Sequence, residues 1–209
     1  MSLATRLKSF VLQGPVSLHA LQEARIEIHL ATVRMRSRWS RKAKELKHKR
    51  GIKLNFGCGE HILAGFLNVD GWYRPGVDYL HDLRQPLPLA DGSCKFVFTE
   101  HVLEHIELQF RARVLRELYR LLEPGGVLRI VGPNCAPFAR AYANHDTAFF
   151  ARAVPEASTA AAALNEIFIN HFHRFVDDFE SFAASLREAG FASIIEFQPL
   201  RQHLARTEC

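Results

Sequence analysis

Only residues 60–69 separate the glycine turn Gly57-Cys58-Gly59 from the acid Asp70, and that spacing limits what the surrounding chain can build. Leu54 and Phe56 read as a short strand running into the glycines, and Phe66, Leu67 and Val69 as a second strand ending on Asp70. A dinucleotide-binding fingerprint leaves about 20 residues before its acid, room for a whole crossover helix. Here the crossover has to be a short helical turn or a loop. Glycines after a first strand let a ligand approach the backbone closely, and a carboxylate at the tip of the next strand can accept hydrogen bonds from a ribose diol.

From Lys53 onward, short apolar strands alternate with polar turns and helices, which predicts an α/β fold with a wound sheet. The expected strands are 53–56, 66–69, 77–80, 95–99, 126–131 and 193–198. Between the fourth and fifth, Leu115, Leu118 and Leu122 recur at helical spacing until Pro124-Gly125-Gly126 stops them. A second helix begins at Asp177 or Asp178, carries Phe179, Phe182, Ala183 and Leu186, and ends at Gly190. Strand–helix–strand order makes the sheet mainly parallel. Only Arg201 to Cys209 follow the sixth strand, so a last antiparallel strand is expected to be short or missing. Gly57 and Gly59, Asp70 and Asp82 end three successive strands, on the carboxyl edge where open α/β folds bind ligands.

Residues 1–50 read as a basic helical extension, with helices over 2–12 and 17–48, a break at Gln13-Gly14-Pro15, a cap at Ser17 and a boundary at Gly51. The net charge of +5 is concentrated there, since ten Lys or Arg residues between Arg25 and Arg50 face only Glu27 and Glu45. Such a run suits RNA or an anionic membrane surface, although a long helix with a solvated basic face explains it as well. No apolar run is long enough to span a membrane, and the N-terminus lacks the apolar core of a secretory signal, so a cytoplasmic protein is expected. Cys58, Cys94, Cys135 and Cys209 form no Cys-x-x-Cys pair, which fits reduced thiols.

Several ordered motifs carry a family resemblance. Leu54-Asn-Phe-Gly-Cys-Gly59, Asn68-Val-Asp70, His81-Asp82-Leu83, Phe96-Val-Phe-Thr-Glu-His-Val-Leu-Glu-His-Ile106 and Leu118-Tyr-Arg-Leu-Leu-Glu-Pro-Gly-Gly-Val-Leu-Arg-Ile130 resemble class I S-adenosylmethionine-dependent methyltransferases, of the small group related to the methyltransferase type 11 domain. The likeness covers about residues 52–134, and Leu186-Arg-Glu-Ala-Gly-Phe191 extends it. It implies a Rossmann-like methyltransferase domain over 51–209, with S-adenosylmethionine as cofactor and S-adenosylhomocysteine as product. By that resemblance Gly57, Cys58 and Gly59, with Asn55 in the same corner, pass beneath the methionine and ribose. Asp70 holds the ribose hydroxyls, Asp82 and Leu83 meet the adenine, and Glu100 and His101 lie near the transferable methyl. The third glycine of the usual Gly-x-Gly-x-Gly is His61 here.

His101-Val-Leu-Glu104-His105 also spells His-x-x-Glu-His, an inverted zinc-protease motif. Zinc would need a third protein ligand, and the methyltransferase pattern already accounts for the segment, so no metal is expected. Glu104 and His105 read as packing and hydrogen-bonding residues at the start of a helix. His101 is the first choice for a general base, with His171 or His173 the second. Residues 133–176 are too long for an ordinary connection and read as a substrate-side helical insertion. Its Phe138, Tyr142, Phe149, Phe150, Phe168, Phe172 and Phe175 suit either an apolar wall for substrate or a helical flap that packs its aromatics into the core or a dimer interface. The expected reaction is methyl transfer to oxygen or nitrogen of a small molecule or saccharide. The alternatives are a catalytically inactive cofactor- or partner-binding protein and an RNA methyltransferase guided by residues 25–50.

Overall fold

In the computed structural model the described residues are 17–169 and 173–197. The helix expected over 2–12, His171 and residues 201–209 lie outside them. Five strands, β1 (Ile52–Phe56), β2 (Leu67–Asp70), β3 (Tyr79–Leu80), β4 (Cys94–Glu100) and β5 (Leu122–Val131), form one sheet in the order β3-β2-β1-β4-β5. Every neighbouring pair is parallel, with Leu54 opposite Leu67 and Val97, and Val69 opposite Tyr79. All carboxyl ends therefore fall on one edge. Leu54, Phe56, Val69, Val97 and Cys94 are essentially inaccessible, as a parallel sheet covered on both faces requires.

Two of the helices follow the sequence closely. α3 (Leu108–Leu121) buries Val114, Leu115, Leu118 and Leu121 on one stripe, and α7 (Phe179–Ala189) starts on the Asp178 cap, whose side chain accepts from Ser181 N, and stops at the left-handed Gly190. The two pack together, and Tyr119 meets Phe191 edge-on. After α3 the chain goes straight into β5 at Leu122, ahead of the expected 126. The ladder pairs Cys94 with Leu122 and next Phe96 with Val127, so Glu123 to Gly126 bulge out where Pro124 has no N–H to give.

The sixth strand expected over 193–198 does not form in the described residues. Residues 191–197 carry no ladder, Ile194 packs on the core, and Ile195 and Phe197 stand exposed. The segment is held by Phe191 and Ile194 side chains, and an alternating pattern without a backbone partner does not become a strand.

Helix 17–48 is broken. α1 (Leu18–Arg38) ends at Trp39, and α2 (Arg41–Leu46) restarts on Ser40, whose hydroxyl accepts from Ala43 N. These helices lie against the sheet. Residues 57–66, 71–78 and 81–93 contain no helix, so β1, β2 and β3 lack crossover helices of their own. α1 and α2 take up that covering role: Ala43 and Leu46 enter the core, Leu30 sits against Gly71, and Tyr79 Oη donates to Ser37 O.

The insertion after β5 folds as α4 (Cys135–Ala143), α5 (Thr147–Ala153) and α6 (Ala160–Phe168). Phe138, Phe149 and Phe150 stack edge-on or tilted upon one another around Ala141, Val154 and Ala163. This is a small second core of the insertion's own, so these three rings do not pack into the main core as a flap over it would.

Asp82 fastens α1 to the sheet. It is fully buried and receives Arg34 Nη1 at 2.6 Å and Arg84 Nε at 3.1 Å, while Arg84 also reaches Glu27 at 2.6 Å and Glu107 at 3.2 Å. Burial alone would raise the Asp82 carboxyl, but the Arg84 and Arg34 hydrogen bonds outweigh it and hold the group below its ordinary value. A depressed carboxylate stabilises the fold fully above its unfolded pKa of about 3.9 and loses that contribution as pH falls through the lower folded value. Asp82→Asn, which removes the buried charge that Arg34 and Arg84 share, is expected to cost about 3–5 kcal/mol at pH 7. In urea titrations the gap between variant and wild type should narrow as the pH is taken below about 4.

Candidate functional site

The carboxyl ends of β1 and β2 are tied by a short ladder. Gly57 N and Cys58 N both donate to Val69 O, at 2.8 and 3.0 Å, and Gly59 N donates to Asp70 Oδ2 at 2.8 Å. Asp70 Oδ1 accepts from Trp72 N at 2.8 Å. Asn55 Nδ2 donates to Asn68 Oδ1 at 2.9 Å and to His61 O at 2.8 Å, while Asn68 also binds Leu63. These bonds close residues 57–66 into a compact turn without a helix, the shape the ten-residue spacing demanded.

Gly57 and Gly59 are glycines for different reasons. At Gly57, φ is +75° and a Cβ would lie 2.3 Å from Val102 Cγ2 and 2.8 Å from Cγ1. At Gly59, φ is +49° but a Cβ would meet nothing within 4 Å, so the space above the backbone is open to a ligand. Cys58 between them is buried, and its thiol is pushed up to about 11, by burial first and by the Asp70 charge second. It stays a neutral packing group at physiological pH.

Beyond β4, Glu100 and His101 part company. Glu100 Oε2 lies 2.8 Å from His61 Nδ1, bridging back to the glycine turn. His101 takes a left-handed backbone (φ +51°), its N–H donating to Val131 O, and its Nδ1 lies 2.9 Å from Glu104 Oε1. That hydrogen bond raises the His101 pKa against the opposing effect of burial. Glu104 is itself buried, and despite that burial the hydrogen bond from His101 keeps its carboxyl below the ordinary value. Residues 103–105 form a 3-10 turn. His101 therefore does not share a helical face with His105, as the inverted zinc-protease reading would require.

The remaining candidates fall in two places. Asp82 lies at the β3 corner, with Oδ1 accepting from Arg84 N and Nε and Oδ2 from Arg84 Nη2 and Arg34 Nη1. Four donors fill its lone-pair directions. Leu83 is partly buried against the core. His173 approaches the β4 corner from the insertion, its ring 5.0 Å from that of His105 and its Nδ1 2.7 Å from Ile167 O. A cavity of about 280 Å³ opens among Glu27, Arg34, Arg84, Glu107 and Phe110, and no glycine-turn residue lines it.

Residues 67–130 match the sequence profile of the methyltransferase domain family. The matched segment is less than a third of the chain. It spans β2 to β5, and so contains Asp70, Asp82, Glu100 and His101, while the glycine turn lies just ahead of it. A curated relative from Mycolicibacterium smegmatis, described as a probable S-adenosylmethionine-dependent methyltransferase, is 38% identical over 65 residues, 31% of this chain. The chain covers 24% of that relative's length. Among solved structures, a SAM-dependent methyltransferase from Thermotoga maritima, titled a possible histamine N-methyltransferase, aligns with 81% of this chain and 78% of its own at 17% identity and a TM-score of 0.47. A putative methyltransferase from Bacillus halodurans aligns with 72% of this chain and 64% of its own at 18% identity and a TM-score of 0.40.

Glu104 is buried and hydrogen-bonded, as expected for it from sequence, and its partner is His101. Its spacing of three from His101 in sequence places the two side chains within reach across one turn. Arg34, 48 residues from Asp82, has no such local signal in sequence. Gly57→Ala should cost about 1–2 kcal/mol for the left-handed backbone and about 1–3 kcal/mol more for the clash with the stiff Val102. Gly59→Ala should show only the first part, a difference readable as separate urea midpoints at unchanged slope.

Proposed function

We propose that the protein transfers a methyl group from S-adenosylmethionine to an oxygen or nitrogen of a small-molecule or saccharide acceptor. The observation that carries this reading is the Gly59–Asp70 junction. Each Asp70 carboxylate oxygen accepts one backbone N–H and keeps acceptor capacity for a ribose hydroxyl, beside a glycine whose outer face is open. The match of residues 67–130 to the methyltransferase domain family supports it. The adenine side differs from the family expectation for Asp82, whose four donors favour a role in seating α1.

S-adenosylmethionine supplies a sulfonium methyl, so one S–C bond breaks as one C–O or C–N bond forms, and the leaving group is neutral. The chain's task is alignment, exclusion of water and removal of the acceptor's proton. His101 is suited to take that proton, because Glu104 fixes its ring through Nδ1 while its side chain stays largely exposed. Its neighbour Glu100 reaches the glycine turn through His61, which joins the proton-accepting corner to the cofactor corner.

Calorimetric titration with S-adenosylhomocysteine tests the cofactor half. Asp70→Ala should weaken binding at least tenfold, since two hydrogen bonds to a charged group are lost. His101→Asn keeps a residue tolerant of the left-handed backbone and should leave that affinity intact while lowering kcat by about 10²–10⁴. Absence of any cofactor binding would overturn the reading. Binding without S-adenosylhomocysteine release across alcohols, amines and sugars would favour a non-catalytic binding protein.

A second observation bears on partners. Leu21, Ile28 and Met35 recur every seven residues along α1, and Trp39 follows four later, all between 43% and 77% exposed. Exposed Arg25, Arg36 and Arg38 lie alongside. An apolar stripe with basic margins and a terminal Trp suits an anionic bilayer surface. No helix of the described residues is long and apolar enough to cross a membrane. Co-sedimentation with phosphatidylserine-containing vesicles should exceed that with phosphatidylcholine vesicles and fall on Met35→Ser/Trp39→Ser. Salt-sensitive RNA binding without vesicle binding would assign the surface to RNA instead.

A further inference from the structure

The insertion returns to the sheet edge beside the 3-10 turn. Arg174 N donates to Glu104 O at 2.7 Å, Cys135 N to Asp177 O at 2.9 Å, and Arg111 Nη2 lies 2.8 Å from Asp177 Oδ2. Arg174 also reaches Glu23 of α1 at 2.6 Å. This tethering brings His173 to His105 across 68 residues of sequence. One donor atom from each of Glu104, His105 and His173 lies within 4.8 Å of the other two.

From this convergence we infer that Glu104, His105 and His173 form a binding site for a zinc-class divalent cation. The donor set is two imidazoles and one carboxylate, the composition of three-ligand zinc sites in which a water or other small ligand completes the tetrahedron. Zinc bonds of about 2.0–2.2 Å put neighbouring donors roughly 3.3–3.5 Å apart, so small side-chain rotations close the set. The outer contacts are those metal ligands usually have. His173 Nδ1 donates to Ile167 O, which fixes the tautomer with Nε2 as the ligating atom. Glu104 Oε1 lies 2.9 Å from His101 Nδ1, an outer partner of the kind that orients a carboxylate ligand. The site differs from the inverted zinc-protease motif in that Glu104 is a ligand and His101 is not. His101 becomes an outer partner, and a histidine from the insertion replaces it.

A bound ion would clamp the returning segment of the insertion to the end of β4. This inference does not depend on methyl transfer, and its measurements involve no methyl acceptor. The full chain, freed of metal by chelation, is titrated with zinc chloride against a chromophoric chelator, and with cobalt chloride monitored by visible absorption. The expected result is one ion per chain, tetrahedral cobalt bands and a raised Tm. His105→Gln and His173→Gln should each weaken zinc by at least ~100-fold, the upper end of what loss of an outer-shell partner costs. His48→Gln, at an exposed position after α2, should change nothing. Circular dichroism of each variant at the wild-type value keeps the comparison valid. Absence of stoichiometric binding, or binding indifferent to both substitutions, would overturn the proposal. So would dependence on His101 but not His173, which would restore the sequence motif's own ligand pair.

Discussion

The short ladder joining the ends of β1 and β2 is the constraint on which the rest depends. Val69 O receives two N–H groups from the glycine turn, and the Asp70 carboxylate receives a third. Residues 57–66, which connect the two strands, are too few for a crossover helix. The glycine backbone is consequently presented beside the carboxylate, and Gly57 can lie against Val102 because it lacks a side chain. The same economy leaves β1, β2 and β3 without crossover helices.

That deficit explains the N-terminal helices. A parallel sheet cannot leave a face in water, so α1 and α2 cover what crossover helices would otherwise cover. Their attachment combines burial of Ala43 and Leu46 with a buried charge cluster in which Asp82 takes Arg34 from α1 and Arg84 from its own corner. Buried ion pairs add little net stability against an apolar alternative, but they penalise any other placement of the helix. The basic character of residues 25–50 therefore divides. Arg34 turns inward, while Arg36, Arg38 and Arg41 remain exposed.

At the β4 corner, a histidine in a left-handed conformation, a buried glutamate and two more histidines occupy a small space between the sheet and the insertion. Cost and use coincide there. Burial opposes the charge on Glu104, and the neighbouring histidines compensate for it. Left-handed backbone at a non-glycine residue costs of order 1–3 kcal/mol, which the Val131 hydrogen bond and the Glu104 contact help to offset.

Local chemistry determined a good deal from sequence alone. The positions of β1 to β4, α3 and α7, the parallel sheet and the compact glycine-to-acid turn follow from periodicity, caps and spacing, because those signals act over a few residues. Residues 193–197 had the pattern of a strand and lacked a partner to pair with, which no local signal reveals. Asp82 was legible as a strand-end acid, but its neighbours Arg34 and Glu27 come from a helix folded back over the sheet. His173 was visible as a histidine, and its meeting with His105 came only from the path of the insertion. Sequence fixes what one element can be, whereas these pairings depend on where separate elements come to rest, and burial of their shared surfaces decides that only when the whole chain is packed.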